Sequence, residues 1–399
     1  MQFASAISDA VQLLPAVREV CQSVLKQLAG APCHLACVFA SPSYRTHWPE
    51  ALAMLHEQLK PTVLIGCSGS GVIGGERECE SVPALSLVAA QLPDVRLHSF
   101  AVTPQELEHA EPGGFWVDKV GSVPSAQPVF IVCADPYTCE PSRLLAQLNA
   151  TYPKCPVIGG LASGGTKPGQ HVLVLNTEFL QEGAVGVAMS GNVTMDTIVA
   201  PGCRPIGRPL IITKAEETII WELGGRPALE VLREVLMALP QADQALAQRA
   251  IFVGLVIDEM KARFASGDFL IRQVTGIDPP SGAIAIAERI TLGQTVQFHL
   301  LDPGSAREEL QRRLSECHPT FQAAPPAGAL VFNCTGRGKS FYGVANHDMR
   351  VIRMVGGKLP MGGFFCNGEI GPIGGVNFLH GYTASLGLFR PSSTDVVEG

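Results

Sequence analysis

The sequence predicts an α+β protein, with mixed and antiparallel sheets layered with helices, on three observations. A short apolar strand ending in a glycine-rich turn occurs three times, at residues 62–75 (TVLIGCSGSGVIGG), 156–165 (PVIGGLASGG) and 360–375 (PMGGFFCNGEIGPIGG). Each copy follows another apolar strand, a loop and a candidate helix, the first strands being 36–41, 129–135 and 329–338. A strand, helix, strand, glycine-turn unit is therefore reused along the chain. Further period-two segments arrive in adjacent runs, which favours mixed or antiparallel sheets over a purely parallel one.

Taken in order, residues 1–30 read as an amphipathic helix, since Ile7, Val11, Leu14, Val17, Val20, Val24 and Leu28 fall near helical spacing. Segments 84–91 and 95–102 alternate about a Pro-Asp break and read as an antiparallel hairpin. Segments 171–175, 184–190 and 193–199 repeat that meander, with Gly191 and Asn192 as a hairpin tip. Residues 201–209 (PGCRPIGRP) read as a break between elements, because three prolines and two glycines interrupt any ladder. The expected domains are therefore 1–200 and 201–399, a division that suits a chain of 399 residues. In the second, strands are expected at 210–215, 251–257, 269–275, 283–287 and 297–301, and helices at 227–239 and 344–355. A charged helix over 305–317 should stop at His318 and Pro319.

Composition excludes several classes. The formal charge of −7 and the lack of a basic stripe argue against a nucleic-acid partner. No apolar run reaches the ~18 residues of a membrane span, and the first thirty residues lack the pattern of a secretion signal. Twelve cysteines in such a chain point to thiols in a reducing compartment, so a cytoplasmic protein is expected. Most cysteines lie in apolar strand text and read as small core residues. No cysteine and histidine spacing fits a metal site, and no cofactor is expected.

Three motifs fall short of their chemistry. Gly69, Gly71 and Gly74 satisfy the dinucleotide fingerprint, but residues 75–83 are too short and broken for the helix that must hold the pyrophosphate. Residues 333–340 (NCTGRGKS) would be a phosphate loop but for Asn333 in place of its first glycine, and Phe341, Tyr342 and Gly343 follow where a helix is needed. Gly66, Cys67, Ser68 and Gly69 are followed by Ser70, one residue from a nucleophile elbow.

The densest polar chemistry lies near the C-terminus, in Cys334, Arg337, Gly338, Cys366, Asn367, Glu369, His380 and Tyr382. Arg337 between glycines offers a planar fork for a carboxylate, a phosphate or Glu369. Glu369 and Asn367 supply acceptors and donors, so together these groups suit a small zwitterion. The bland alternative is a polar network that pins a strand crossing. With Cys67, Ser68 and Gly69 of the first glycine turn, all of these except Tyr382 form the candidate ligand site. A cysteine enzyme is the alternative, with Cys334 or Cys67 as nucleophile and His380 as base. An interaction scaffold without small ligand is the third reading.

These residues also carry a resemblance. CTGRGKSFYG, then PMGGFFCNGEIGPIGG and FLHGYTASLGLF, resemble the C-terminal signature of FIST domains, and VLIGCSGSGVI with its meander resembles the N-terminal half. The resemblance spans about residues 30–390 and implies a sensory role, with amino acids or similar small polar metabolites as ligands and a separate signalling protein as partner. It lays Cys334, Arg337, Gly338, Gly368, Glu369 and His380 on the family's motif positions. No F-box text precedes the matched region, so recruitment to a ubiquitin ligase is not implied.

Overall fold

A computed structural model describes residues 1–44 and 46–392. They pack as two compact units. The first comprises Met1–Val199, Gln311–Leu379 and the segment from Thr383 on; the second comprises Ala200–Leu310 with His380–Tyr382. The chain leaves the first unit near residue 200 and returns to it at Gln311.

The first unit holds three six-stranded sheets built on one plan. In order across each sheet, the first runs Gln2–Ser8, Leu85–Gln91, Leu35–Ala40, Val63–Ser68, Leu173–Leu175, Glu178–Leu180. The second runs Val95–Val102, Ala184–Gly191, Val129–Ala134, Val157–Leu161, Glu369–Ile373, Val376–His380. The third runs Thr194–Pro201, Thr383–Arg390, Gly328–Cys334, Met361–Cys366, Gly71–Gly74, Arg77–Glu80. The central pair is parallel in all three. Parallel neighbours need a crossover, and a helix supplies it each time: Trp48–Leu59, Pro141–Thr151 and His347–Gly356.

The repeats are woven together by exchange. The hairpin that follows Val63–Ser68 joins the third sheet, the one after Val157–Leu161 joins the first, and the one after Met361–Cys366 joins the second. One glycine per repeat permits the parallel pairing. Gly66, Gly159 and Gly363 stand opposite Val38, Val132 and Val331 in register, and a methyl group on any of them would overlap the carbonyl oxygen of that valine.

Inward-facing side chains of the three sheets share one core. Phe39 stacks on Phe364 with ring centroids 5.1 Å apart, and Phe332 meets both edge-on at 6.1 and 5.7 Å. Each such ring contributes roughly 1.5–3 kcal/mol through burial. The outer face of the first sheet is covered by the helices Leu13–Leu28 and Trp48–Leu59.

Four sequence expectations are corrected. Residues 2–8 form a strand, because QFASAIS alternates small and apolar residues toward the sheet, and the helix begins only at Leu13. Residues 85–91 and 95–102 do not pair with each other, nor do 184–191 and 194–201. At each expected tip the chain instead passes from one sheet to the next, and the two connections touch through the Asn192 amide donating to the Asp94 carbonyl at 3.0 Å. Alternation identifies a strand and its buried face, but it does not name its neighbour. Residues 203–216 run as one strand through Pro205, which stays in register opposite His299, and Pro209, which falls in a register shift between Ile206 and Leu210 where no ladder amide is needed. The charged helix runs on through Pro319 to Ala323.

The second unit is an antiparallel barrel. Cys203–Glu216, Thr295–Leu301, Phe252–Val256, Phe269–Asp278, Ala283–Ile286 and Ile219–Leu223 pair in that order, and the last pairs back to the first. Val253, Leu255, Ile284, Ile286, Val296, Phe298 and Leu300 fill it together with Leu229 and Leu232 of the helix Ala228–Met237.

Candidate functional site

In each repeat the parallel pair ends in a polar mouth, the place where parallel strands present ligand sites. At the third mouth, Gly328–Cys334 runs into a short turn, Thr335–Arg337, capped by the Gly336 amide donating to Cys334 Sγ at 3.5 Å. The turn carries Arg337 inward, where it is 1% exposed. A Cβ at Gly338 would push the Glu80 carboxylate aside. That closeness lets the Lys339 amide donate to both Glu80 oxygens at 2.9 and 3.1 Å.

Arg337 makes its ion pair with Asp348, Nε to Oδ2 at 3.1 Å, rather than with Glu369 as the sequence suggested. Asn333 Nδ2 donates to the same oxygen at 3.1 Å, and His347 Nδ1 lies 3.0 Å from Oδ1. Asp348 sits in the first turn of the helix His347–Gly356, where the macrodipole favours an anion. Burial pushes its pKa up, but Arg337 and His347 outweigh that and hold it below the usual carboxylate range. The Tyr342 ring stacks on His347 at 3.5 Å and lies 5.8 Å from the Arg337 guanidinium. Glu78, from the exchanged hairpin, accepts the Met349 amide at 3.0 Å. Burial and then Asp348 raise its pKa to about 7 against the Met349 and His347 amides, with Glu80 adding to the rise.

Glu369 lies fully buried. Its Oε2 accepts the Thr383 amide at 3.1 Å, while Oε1 receives no hydrogen bond from any nitrogen or oxygen among the described residues. Asn333 Oδ1 is likewise without a hydrogen-bond partner among them. Burial lifts the Glu369 pKa well above the usual value, against the Thr383 amide, the Arg337 charge and the Cys334 thiol.

The second mouth is built from a different pair. Asp135 accepts the Tyr137 amide at 3.0 Å, the Thr138 amide at 2.9 Å and the Thr138 hydroxyl at 2.7 Å, all on Oδ1. Its Oδ2 lies 2.8 Å from His171 Nδ1, and the Gly165 amide donates to His171 Nε2 at 3.1 Å. With Nε2 accepting from Gly165, Nδ1 is the ring nitrogen that can donate to Asp135. Tyr137 stacks over it at 5.7 Å.

The remaining candidates divide between frame and rim. Cys67 ends its strand in the shared core, within hydrogen-bonding reach of Cys133 and close to Cys366. Burial raises the pKa of Cys67 and Cys366 well above that of a free thiol, which opposes nucleophilic use. Ser68 Oγ accepts the Val172 amide at 3.1 Å, and the Gly69 amide donates to Ala40 O at 2.9 Å. A Cβ on Gly69 would meet Phe364, so this turn packs against the third repeat. The Asn367 amide donates to Leu161 O at 3.0 Å while its side chain is exposed. His380 is buried and belongs to the second compact unit, whereas the other candidates belong to the first. Sequence reading missed Asp348, Glu78, Asn333 as a ligand to Asp348, and the Asp135–His171 pair. For Asp348 the available signal was an acid in the first turn of an expected helix.

Comparison with known proteins covers nearly the whole chain. Residues 34–226 match the model of the FIST N domain, and residues 228–372 match that of the FIST C domain. "Uncharacterized protein MT0656" of Mycobacterium tuberculosis (strain CDC 1551 / Oshkosh) is 35% identical over 395 residues, 98% of this chain and 100% of its own. "Uncharacterized protein Mb0898c" of Mycobacterium bovis is 36% identical over 371 residues, 91% of this chain and 92% of its own.

Proposed function

Because this chain belongs to the FIST family, whose domains are sensory, signal-transduction domains, we propose that it senses a small polar, amino-acid-like ligand at the third mouth. Occupancy is passed to a separate signalling protein, since ligand binding shifts a protein toward the state it prefers. The observation that carries this reading is two buried acceptors around Arg337, Asn333 Oδ1 next to its partner Asp348 and Glu369 Oε1, left without nitrogen or oxygen donors among the described residues. A buried acceptor without a donor costs about 1–3 kcal/mol, and a ligand ammonium would relieve that cost. The raised Cys67 thiol pKa weighs against Cys67 as the nucleophile of the cysteine-enzyme alternative. The reading extends to a cytoplasmic protein, supported by twelve cysteines of which none forms a disulfide among the described residues.

Thermal denaturation in the presence of individual amino acids and small amines at millimolar concentration tests the reading. A ligand at 100 times its Kd should add about 2.7 kcal/mol of stability. Absence of stabilisation by every compound, with the protein folded, would overturn it.

A further inference from the structure

The first mouth has no acid–base pair but keeps a cavity of about 160 Å3. Ser41 and Ser68, at the ends of the parallel strands, form its inner wall with Tyr44 and Trp48, and Gln170 and Gln181 stand at its rim. Ser41 is 2% exposed and Ser68 3%. Each hydroxyl accepts a backbone amide, Ala84 to Ser41 at 3.0 Å and Val172 to Ser68 at 3.1 Å. Neither donates to any acceptor among the described residues, so two buried hydroxyl protons are left for the cavity. The aromatic walls have no spare donor facing it: Trp48 Nε1 donates to Tyr44 O at 2.8 Å, and the Tyr44 hydroxyl donates to Ala10 O. At the rim, Gln181 Nε2 is held by Gly169 O at 2.7 Å, which leaves Gln181 Oε1 as an acceptor.

We infer that this cavity is a second ligand site, distinct from the third mouth, and that it takes a small uncharged amide. The amide oxygen accepts from Ser41 and Ser68, its N–H groups face Gln181 Oε1, and its apolar part lies against Trp48. No charged side chain lines the cavity among the described residues, so a carboxylate would lose its hydration without a countercharge. The volume, equal to about five waters of liquid, limits the ligand to fragment size.

The experiment titrates acetamide into isotope-labelled whole protein and follows backbone amide NMR signals, with acetate as the charged control. Saturable shifts are expected at Ser41, Ser68, Val172 and Gln181, with acetate weaker than acetamide. Affinity should fall about fivefold in Ser41→Ala and in Ser68→Ala, the equivalent of one hydrogen bond of ~1 kcal/mol. No saturable shift, unchanged affinity in both folded variants, or acetate binding as tightly as acetamide would overturn the inference. Should either variant fail to fold, an acetamide-soaked crystal of the unmodified protein decides. Acetamide oxygen within hydrogen-bond reach of both serines supports the site, and water alone in the cavity refutes it.

Discussion

The second and third mouths occupy equivalent ends of equivalent strands, and each buries a carboxylate against a nitrogen base. They differ in what is left over. Asp135 is saturated by Tyr137, Thr138 and His171, and His171 is in turn saturated by Gly165. At the third mouth Asp348 is also engaged on both oxygens, yet Asn333 Oδ1, and Glu369 Oε1 near Arg337, accept from no nitrogen or oxygen donor among the described residues. A closed network pins a loop; a network with idle buried acceptors is stable only at a cost that a ligand can remove. The same repeat thus supplies a brace in one copy and a candidate receptor in another.

The largest expected effect tests whether the two mouths share a frame. Gly159→Ala and Gly363→Ala each force a methyl into the carbonyl of the facing valine, and should destabilise by at least the ~3 kcal/mol upper range of overpacking. Urea denaturation should show similar losses for both; loss in one alone would break the equivalence. Next, Arg337→Ala leaves Asp348 buried without its ion-pair partner and should cost about 3–5 kcal/mol. Asp135→Asn keeps the shape of the brace and should cost about 1.5–3 kcal/mol, the worth of hydrogen bonds to a charged group.

The two mouths should also respond oppositely to pH. Asp135 is pushed up by burial but held below the usual range by its bonds to His171, Thr138 and Tyr137, so its contribution is lost as pH falls through the folded pKa. Glu78 is raised from 4.5 to about 7, so the folded state holds the extra proton across that window and stability falls as pH rises through it. Denaturation midpoints measured across the window should flatten in Glu78→Gln; an unchanged slope would exclude Glu78 as its source. The smallest effect is spectroscopic. Burial raises the Glu369 pKa above the usual carboxylate range, so its carboxylate infrared band, identified by its loss in Glu369→Gln, should appear only at higher pH than that of an exposed glutamate.

Much of the frame was legible in the sequence because glycine and apolar alternation act locally. The three turns and their preceding strands were visible as text, as were the barrel strands near residues 252, 269, 283 and 295. What could not be read was partnership. The exchange of hairpins among sheets and the split of 85–91 from 95–102 depend on contacts distant along the chain. The same limit applies at the site. Arg337 and Glu369 stood out by motif, but Asp348 reaches Arg337 only because the crossover helix returns its first turn to the strand end. Glu78 arrives from a hairpin more than 250 residues earlier, at the Met349 amide.

On the proposed reading, ligand occupies the third mouth and not the second. This is tested most directly by calorimetric titration of the most stabilising amino acid or amine into the unmodified protein, Glu369→Ala and Asp135→Asn, each verified as folded. Saturable binding is expected, weakened more than about tenfold by Glu369→Ala and left within about twofold by Asp135→Asn, since loss of one charged hydrogen bond exceeds about 1.4 kcal/mol only where ligand is touched. Binding weakened no further by Glu369→Ala than by Asp135→Asn, or no binding by any compound, would contradict that reading.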